Sequence, residues 1–452
     1  MIDRRRSAAL VATVLMIVVG CTPAASTSPS ATTGTTPTGT PAATAGGSPG
    51  AGAGAVPEQG VDDGTKLTMW SRAATELRLT SQVEAYNATH KNQVELRLVP
   101  TDDYVGVVGN AATANQLPDL FSADVVFMPN WTSQGLFTDL TSRIDGLPGI
   151  DKVGQAHIVA SSWEGKKYGL PLIIDLSVWM YNKQLFKDAG LDPEDPPTTL
   201  AEFAAAARAV QALNREGVYG TYFGGNCGGC NVFTWWPIVW ADGQDVMNAE
   251  GTEALLNSAT SKEIYKTFGA LWDEGVIHPN SIQEPGETWT NHFPAGTIGI
   301  MPMPASLQET EGMTLDNLGV TAIAGVKGGK STFVGGDSIG ISKDSDKVDQ
   351  AWNFITWMLG DYNQVEVVAK AGNVVARTDL ANNQYSSADP RLVLFNEAAG
   401  VGKTPFALYF NDAFNSPQSP WIQLFRAAVF EDADDAKIDE LNGQITSILK
   451  GN

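Results

Sequence analysis

Basic residues are scarce in this chain of 452 residues, which has 29 lysines and arginines against 50 aspartates and glutamates. The formal net charge is therefore −21. Negative charge of this size repels phosphate backbones and anionic lipid surfaces, so it argues against nucleic acid or a membrane surface as a partner. It also argues against a bulky anionic ligand, which only a local basic pocket could accommodate.

Long apolar runs are absent after residue 21, and the run at 7–19 is shorter than the roughly 20 residues that span a bilayer. Three arginines precede this run and Cys21 closes it, an order typical of an export signal. The residues around Cys21 resemble a bacterial lipobox, in which the cysteine receives a lipid. We predict a signal peptide over 1–20 and an extracytoplasmic protein anchored to the cell membrane through Cys21. An ordinary signal peptide or a short membrane anchor is the alternative.

Charged and aromatic residues are missing from 22–57, which contains Thr, Pro, Ala, Ser, Gly and one Val. Such a segment cannot bury enough apolar surface to offset the entropy that it would lose on ordering. We predict a disordered, lipid-anchored linker over 21–60. A glycosylated stalk is the alternative, with the same tethering role.

Cysteine and histidine are also scarce, with three and four residues. After Cys21 only Cys227 and Cys230 remain, and no second CxxC and no HxxxH accompanies them, so we expect no metal site. Two nearby thiols in an oxidising compartment are expected to pair, and we predict a structural disulfide. A redox-active pair is the alternative, although the neighbouring glycines indicate a loop instead of a helix N-terminus.

Strand-like and helix-like segments alternate in the remaining roughly 390 residues, a length that suits two lobes better than one core. Residues 66–70, 94–99 and 117–121 have strand patterns, and 75–90 and 104–114 have helical spacing. Further helices are predicted over 200–213, 262–275, 346–360 and 437–450. This alternation favours parallel βαβ units and a two-lobed α/β architecture.

Several sequence blocks occur in the order seen in a known family. They are 117–124, 135–140, 168–186, 293–301 and 335–354. The most specific block contains Tyr168-Gly169-Leu170-Pro171, then Asp175, then Tyr181-Asn182-Lys183. Through these blocks the chain resembles family 1 of the extracellular solute-binding proteins of bacterial ABC importers, in the sugar-binding branch.

The resemblance implies a two-lobed periplasmic-binding-protein-like fold of type II. Each lobe would be a mixed sheet flanked by helices, and the chain would cross between the lobes near 170–176, 332–337 and 373–379. The first lobe is then expected over two segments, 61–173 and 336–374. The second is expected over 177–332 and 378–452.

The resemblance also implies a function. The protein would capture a mono- or oligosaccharide, close around it and deliver it as a monomer to an ABC permease, without catalysis. One alternative is the same scaffold with a non-sugar solute, such as a glycerol phosphodiester, a polyamine or an oligopeptide. A glycoside-acting enzyme or an adhesin is an alternative of another class.

Three aspartates are candidate ligand contacts, because carboxylates accept hydrogen bonds from sugar hydroxyls. Asp124 follows the third predicted strand, and Asp175 lies in an apolar run where an unpaired acid is costly to bury. Asp337 follows Gly336, and this glycine would let a ligand or the backbone approach closely. A salt bridge or a helix cap is the alternative role of these acids.

Four tryptophans are candidates for packing against the apolar face of a sugar. Trp235 and Trp236 lie in the densest aromatic cluster. Because adjacent residues of a strand point to opposite faces, we expect one of them in the cleft and the other in the core. Trp289 and Trp421 lie in loop-like stretches and are further candidates.

Two arginines would distinguish the solute classes. Arg72 directly follows the first predicted strand, and Arg377 lies at the third predicted crossing. If both lined the cleft, a phosphate-bearing solute would be favoured. An ion pair between the lobes is the alternative role of Arg377.

Enzyme motifs are weak in this sequence. Residues 336–340 formally match the GxSxG nucleophile elbow, but they read as a continuing strand, and no histidine follows Ser338. No P-loop and no strand-borne GxGxxG is present, so no nucleotide cofactor is expected. No pair of carboxylates is singled out for glycoside hydrolysis.

Overall fold

The structure is a computed structural model that describes residues 56–286, 288–306 and 313–452. The predicted signal peptide, the lipidation of Cys21 and the linker up to residue 55 lie outside the described residues. The predicted end of the linker needs correction, because Val56 is buried in the core and Gln59 donates its backbone N–H to Thr356. Residues 56–60 therefore belong to the folded body.

The described chain alternates between strands and helices. Its strands are β1 (Lys66–Arg72), β2 (Gln93–Val99), β3 (Leu120–Asp124), β4 (Ser162–Trp163), β5 (Lys166–Lys167), β6 (Gly169–Asn182), β7 (Ile300–Pro304), β8 (Leu318–Thr321), β9 (Ile323–Gly325), β10 (Gly328–Ser331) and β11 (Val334–Ile341). Its α-helices are α1 (Glu76–Thr89), α2 (Thr101–Ala114), α3 (Met128–Ser133), α4 (Thr141–Asp145), α5 (Gln155–Ala160), α6 (Lys183–Asp188), α7 (Leu200–Gln211), α8 (Gly228–Ala241), α9 (Ala259–Asp273), α10 (Val348–Met358), α11 (Pro390–Ala399), α12 (Pro420–Phe430) and α13 (Asp435–Leu449). Among these residues, no helix has the length and apolar character needed to span a bilayer.

The first three strands of the body form parallel βαβ units. β1 pairs in parallel with β2 along its whole length and with β3 on its other edge. The crossover helices α1 and α2 connect these strands, as the alternation in the sequence predicted. Parallel strands end at one edge of a sheet, so the carboxyl ends of β1 and β3 bring Arg72 and Asp124 together.

Strands β11 and β6 connect the parallel strands to β7 and β8 in one sheet. Seven strands form one mixed sheet in the order β2-β1-β3-β11-β6-β7, with β8 also paired to β6. The first half of β6 pairs antiparallel with β11, whereas Ser177 and the residues after it pair with β7 and β8. The change of partner occurs between Leu176 and Ser177. It falls beside the first predicted crossing, although the lobe boundaries themselves stay a prediction.

Two apolar clusters cover this sheet. Trp179, Phe203 and Phe268 are in contact in a cluster formed mainly by the helices after β6. Leu67 and Trp352 belong to a second cluster, which extends from β1 to Met180 of β6 and Met301 of β7. Burial on both faces explains why β6 is a nearly continuous apolar run instead of an alternating one.

Candidate functional site

A cavity of about 610 Å³ lies beside the paired segments of β6 and β11, a volume typical of ligand clefts. Its polar lining is formed by Arg72, Thr75, Arg78, Asp124, Asp175, Thr290, Ser306, Asp337 and Asn415. Its apolar lining includes Leu77, Val126, Ile173, Val232, Phe233, Trp289, Pro304, Phe333 and Phe410. Charged groups and aromatic rings thus line the same cavity.

One guanidinium joins two carboxylates at the base of the cavity. Asp337 and Asp124 are direct neighbours in the antiparallel pairing of β11 with β3. The Arg72 Nε donates to Asp337 at 2.9 Å, and its Nη1 lies 2.9 Å from Asp124 Oδ2. Asp337 is 1% exposed and also accepts from the Ser122 hydroxyl at 3.0 Å. The Asp124 side chain remains a quarter exposed toward the cavity.

The electrostatics of this cluster follow from its charges. Burial by itself would lower the pKa of Arg72, but Asp337 and Asp124 raise it above the usual value, so Arg72 stays a cation. Burial raises the pKa of Asp124; Arg72 opposes this rise, while the nearby Asp337 adds to it. Two carboxylates share one cation here, which leaves Asp124 as a strong acceptor for hydroxyl groups.

A second polar group lies where β6 changes partners. Asp175 accepts from the Ser306 hydroxyl at 3.2 Å and from the Leu176 backbone N–H at 2.9 Å. The Arg78 Nη2 lies 3.9 Å from Asp175 Oδ1, and its Nη1 donates to the Ile174 carbonyl. Arg78 was not predicted from the sequence. Its position in α1, the helix that follows β1, was the available signal, because Arg72 at the end of β1 was already a candidate.

Aromatic rings also line the cavity. Phe233 on α8 contacts Phe333 with ring centroids 5.3 Å apart, and Trp289 and Phe410 line the same cavity. Trp289 was a candidate from the sequence. The three phenylalanines were not, since their positions become visible only when α8 and the segments before β11 and after α11 are brought together.

The expectation for Trp235 and Trp236 is wrong in its geometry. Both lie on α8, which is a helix instead of a strand, and they are 2% and 1% exposed. Trp235 packs on Phe268 and Trp236 on Phe414, so neither ring lines the cavity. The helical period of 3.6 residues turns Phe233 toward the cavity and directs the following rings into the core.

Two other candidates also lie away from the cavity. Trp421 is 1% exposed on α12 and donates its indole N–H to the Gly228 carbonyl. Arg377 is fully buried and forms ion pairs with Asp379 at 2.6 Å and Asp361 at 3.2 Å. An ion pair was the alternative for Arg377, and the structure supports it.

Gly336 lines the cavity in a conformation that favours glycine. Its φ is +99°, and a Cβ atom there would lie 2.1 Å from the Ile173 carbonyl oxygen. Any side chain would therefore push β11 away from β6 at the point where both strands meet the cavity.

Cys227 and Cys230 form a disulfide in the structure. They stand at the N-terminus of α8, with Cys227 as the capping residue, so the expectation of a loop is wrong. Within the described ranges, no group of His, Cys, Asp and Glu side chains is arranged to hold a metal ion.

Ser338 does not have the geometry of a nucleophile elbow. It lies in the middle of β11, is fully buried, and contacts His157 Nδ1 at 3.2 Å. His157 Nε2 lies 3.0 Å from the Gly335 carbonyl oxygen, so this pair fixes the strand instead of facing the cavity.

Several known proteins have similar sequences. A putative binding protein of Brucella abortus is 26% identical over 271 residues, which cover 59% of this chain and 64% of that protein. The chain thus spans just under two thirds of that relative's length. The diacetylchitobiose binding protein DasA of Streptomyces coelicolor is 24% identical over 71% of this chain and 74% of its own.

A solved structure shows the same fold. The cyclic α-maltosyl-1,6-maltose binding protein of Arthrobacter globiformis has a TM-score of 0.72 and 23% identity, over 86% of this chain and 100% of that one. This likeness confirms the predicted α/β fold of periplasmic binding proteins. The names of all three neighbours describe binding proteins. The family model for bacterial extracellular solute-binding proteins matches residues 73–365, more than half of the chain, and the protein belongs to that family.

Proposed function

We propose that this protein captures a mono- or oligosaccharide in the cavity beside β6 and β11 and delivers it to an ABC permease. The observation that carries the proposal is that carboxylates and aromatic rings line the same cavity. The carboxylates come from β3, β6 and β11, and the rings come from α8 and later segments. Sugars have matching chemistry, with a rim of hydroxyls and an apolar C–H face.

Two carboxylates are the proposed acceptors of sugar hydroxyls. The side chains of Asp124 and Asp175 are 25% and 24% exposed, so both retain free lone pairs toward the cavity. A hydrogen bond to a charged acceptor contributes about 1.5–3 kcal/mol, more than one to a neutral group. Asp337 acts differently in this proposal, because Arg72 and Ser122 occupy its oxygens and it holds Arg72 in place.

The rings are the proposed platform for the apolar face. Trp289 and Phe233 take the role that the sequence suggested for Trp235 and Trp236. Gly336 lets β11 approach closely at the base of the same cavity. The names of two similar proteins, which bind diacetylchitobiose and cyclic maltosyl-maltose, support a carbohydrate ligand.

A phosphate-bearing solute fits this cavity less well. Arg72 is already neutralised by two carboxylates, and Arg377 is buried elsewhere. Three aspartates and two arginines line the cavity, so an added anion would meet an excess of negative charge.

The remaining steps of the proposed function are attachment to the membrane and recognition by the permease. The lipid on Cys21 would hold the protein at the extracytoplasmic face of the membrane, and ligand binding would favour a closed form that the permease recognises. We propose that it acts as a monomer without catalysis.

A thermal-shift screen tests this proposal. The chain would be heated with mono-, di- and trisaccharides, with glycerol phosphodiesters, polyamines and oligopeptides as controls. A ligand that binds only the native state adds about 2.7 kcal/mol at a hundred times its dissociation constant. We expect a shift from one class of sugar, with no turnover of that sugar on incubation. A shift from a control solute alone, or hydrolysis of the sugar, would contradict the proposal.

A further inference from the structure

The disulfide between Cys227 and Cys230 forms part of the cavity wall. Cys230 lines the cavity together with Gly229, and both cysteines are partly exposed. Cys227 caps α8, and its sulfur accepts the backbone N–H of Cys230 at 3.1 Å. The pair is therefore within reach of a small dithiol in solution.

A second piece of the wall rests directly on these sulfur atoms. Residues 284–286 and 288–290, here called the Trp289 loop, include Trp289 and Thr290, which line the cavity. At Gly286, where φ is +106°, a Cβ atom would lie 2.7 Å from Cys227 Sγ and 2.8 Å from Cys230 Sγ. The backbone of the loop thus touches the disulfide with no room for even a methyl group.

The Trp289 loop has a second support in the carboxylate of Glu284. This buried group accepts from the Gly286 N–H at 2.8 Å, from the Thr288 N–H and hydroxyl, and from the Tyr222 hydroxyl at 2.7 Å. The Glu284 carbonyl in turn accepts the Asn226 N–H at 2.9 Å, which ties the loop to the segment before α8. The loop is therefore held between one carboxylate and one disulfide.

Opening the disulfide would disturb this contact. Bonded sulfur atoms lie about 2.05 Å apart, whereas non-bonded heavy atoms settle at about 3.5–4.0 Å. Gly286 occupies one side of the pair. Gly224 occupies another, since a Cβ atom there would lie 3.0 Å from Cys227 Cβ and 3.3 Å from Cys230 Sγ. A separated thiol that moves toward either glycine must therefore displace the backbone of that glycine.

We infer that the Cys227–Cys230 disulfide positions the Trp289 loop, so that its reduction by a dithiol loosens one wall of the ligand cavity while the rest of the fold persists. In this step the dithiol gives two electrons and two protons to the disulfide and is itself oxidised to a disulfide. The bond closes a loop of only a few residues, and such short loops restrict the unfolded chain least, so the effect is local. A consequent loss of carbohydrate affinity rests on the proposed function.

Hydrogen exchange with mass spectrometry tests this inference on the full chain. Peptides from the Trp289 loop and from α13 would be followed before and after treatment with dithiothreitol. We expect exchange in the Trp289 loop to become about tenfold faster on reduction, with α13 unchanged, because local opening needs no global unfolding. Unchanged exchange in the loop, or equal acceleration in α13, would overturn the inference.

The double variant Cys227→Ser/Cys230→Ser gives a second measurement. Without reductant it should show the fast exchange of the reduced protein, and dithiothreitol should not change it further. Slow exchange in a folded double variant would also overturn the inference; if the variant fails to fold, the reduced natural chain decides. No ligand is needed, so the result is independent of whether any carbohydrate binds.

Discussion

Arg72 determines the geometry at the base of the cavity, because its guanidinium links three neighbouring strands. It ends β1, Asp124 ends β3, and Asp337 lies in β11 beside Asp124. Removing one partner of a buried ion pair leaves a charge without compensation, so these three residues act as a unit. Asp175 stands outside this unit, and the two groups of acids should respond differently to mutation.

Asp175→Ala should weaken carbohydrate binding about tenfold or more while it changes the melting temperature little, since one charge-assisted hydrogen bond contributes about 1.5–3 kcal/mol. The side chain is a quarter exposed, and its nearest cation lies 3.9 Å away, so folding depends on it weakly. Isothermal titration calorimetry with the sugar found in the screen measures the effect. Asp273→Ala, an exposed acid of α9, is the matched control. Equal affinities for both variants would remove Asp175 from the site.

His157 should make the fold sensitive to acid. Burial lowers the pKa of His157 from 6.5 to about 4, against the opposing effect of its bond to Gly335. The unfolded chain therefore binds a proton first as the pH falls, so stability should be lost between pH 6.5 and pH 4. The loss amounts to about 3 kcal/mol at most from this group.

Urea unfolding at pH 7, 5 and 4 measures this effect of His157. The variant His157→Gln has no titrating imidazole, so its free energy of unfolding should depend less on pH over the same window. Parallel pH profiles for the two proteins would show that His157 does not contribute.

At the scale of a secondary-structure element, helix α8 contributes residues both to the cavity and to the core. Its sequence is apolar nearly all round, so it is buried on most of its surface. Its first turn carries the disulfide, the next carries Phe233 at the cavity, and Trp235 and Trp236 fill the core behind it. One helix thus provides both a wall of the cavity and a large part of a hydrophobic cluster.

Substitutions on the two faces of α8 should separate binding from stability. Trp235→Ala removes a fully buried ring and should cost about 3–5 kcal/mol of unfolding free energy. Phe233→Ala removes a half-buried ring at the cavity, so it should cost less stability but reduce carbohydrate affinity about tenfold or more. Chemical unfolding and calorimetry distinguish the two. A larger loss of affinity in the folded Trp235→Ala protein would contradict this assignment.

At the scale of the whole molecule, the folded body begins earlier than the composition of the linker suggests. Val56 is 3% exposed, and the Glu58 carboxylate accepts from Asn353 at 2.7 Å. These few residues attach to α10, which lies far along the chain. Pro, Ala and Gly before them gave no signal of this contact, because it depends on a partner some 300 positions away.

A truncated chain that starts at residue 61 should therefore be less stable than one that starts at residue 56. The loss of the Val56 side chain alone should cost about 1.5–3 kcal/mol. Thermal and urea unfolding of the two chains measure the difference. Identical unfolding curves would show that residues 56–60 contribute nothing to the fold.

The α/β class and the early strands and helices were predictable, because apolar periodicity is a local property of the sequence. Arg72, Asp124, Asp175 and Asp337 were also predicted, and all four line the cavity, because a charged residue in or next to a buried strand needs a partner or a cleft. Trp235, Trp236 and Trp421 were wrongly placed in the cleft. A large apolar ring can pack in a core or line a cleft, and the local sequence does not distinguish the two environments.

The sequence by itself determined the family, the acidity of the protein and the charged residues of its strands, because these depend on composition and local residue order alone. Only the tertiary structure decided which rings face the cavity. The orientation of α8 about its own axis places Phe233 at the cavity and Trp235 and Trp236 in the core. The same holds for Arg78 and for the support of the Trp289 loop by the disulfide. Each depends on close approach between segments that are distant in the chain, which no local pattern records.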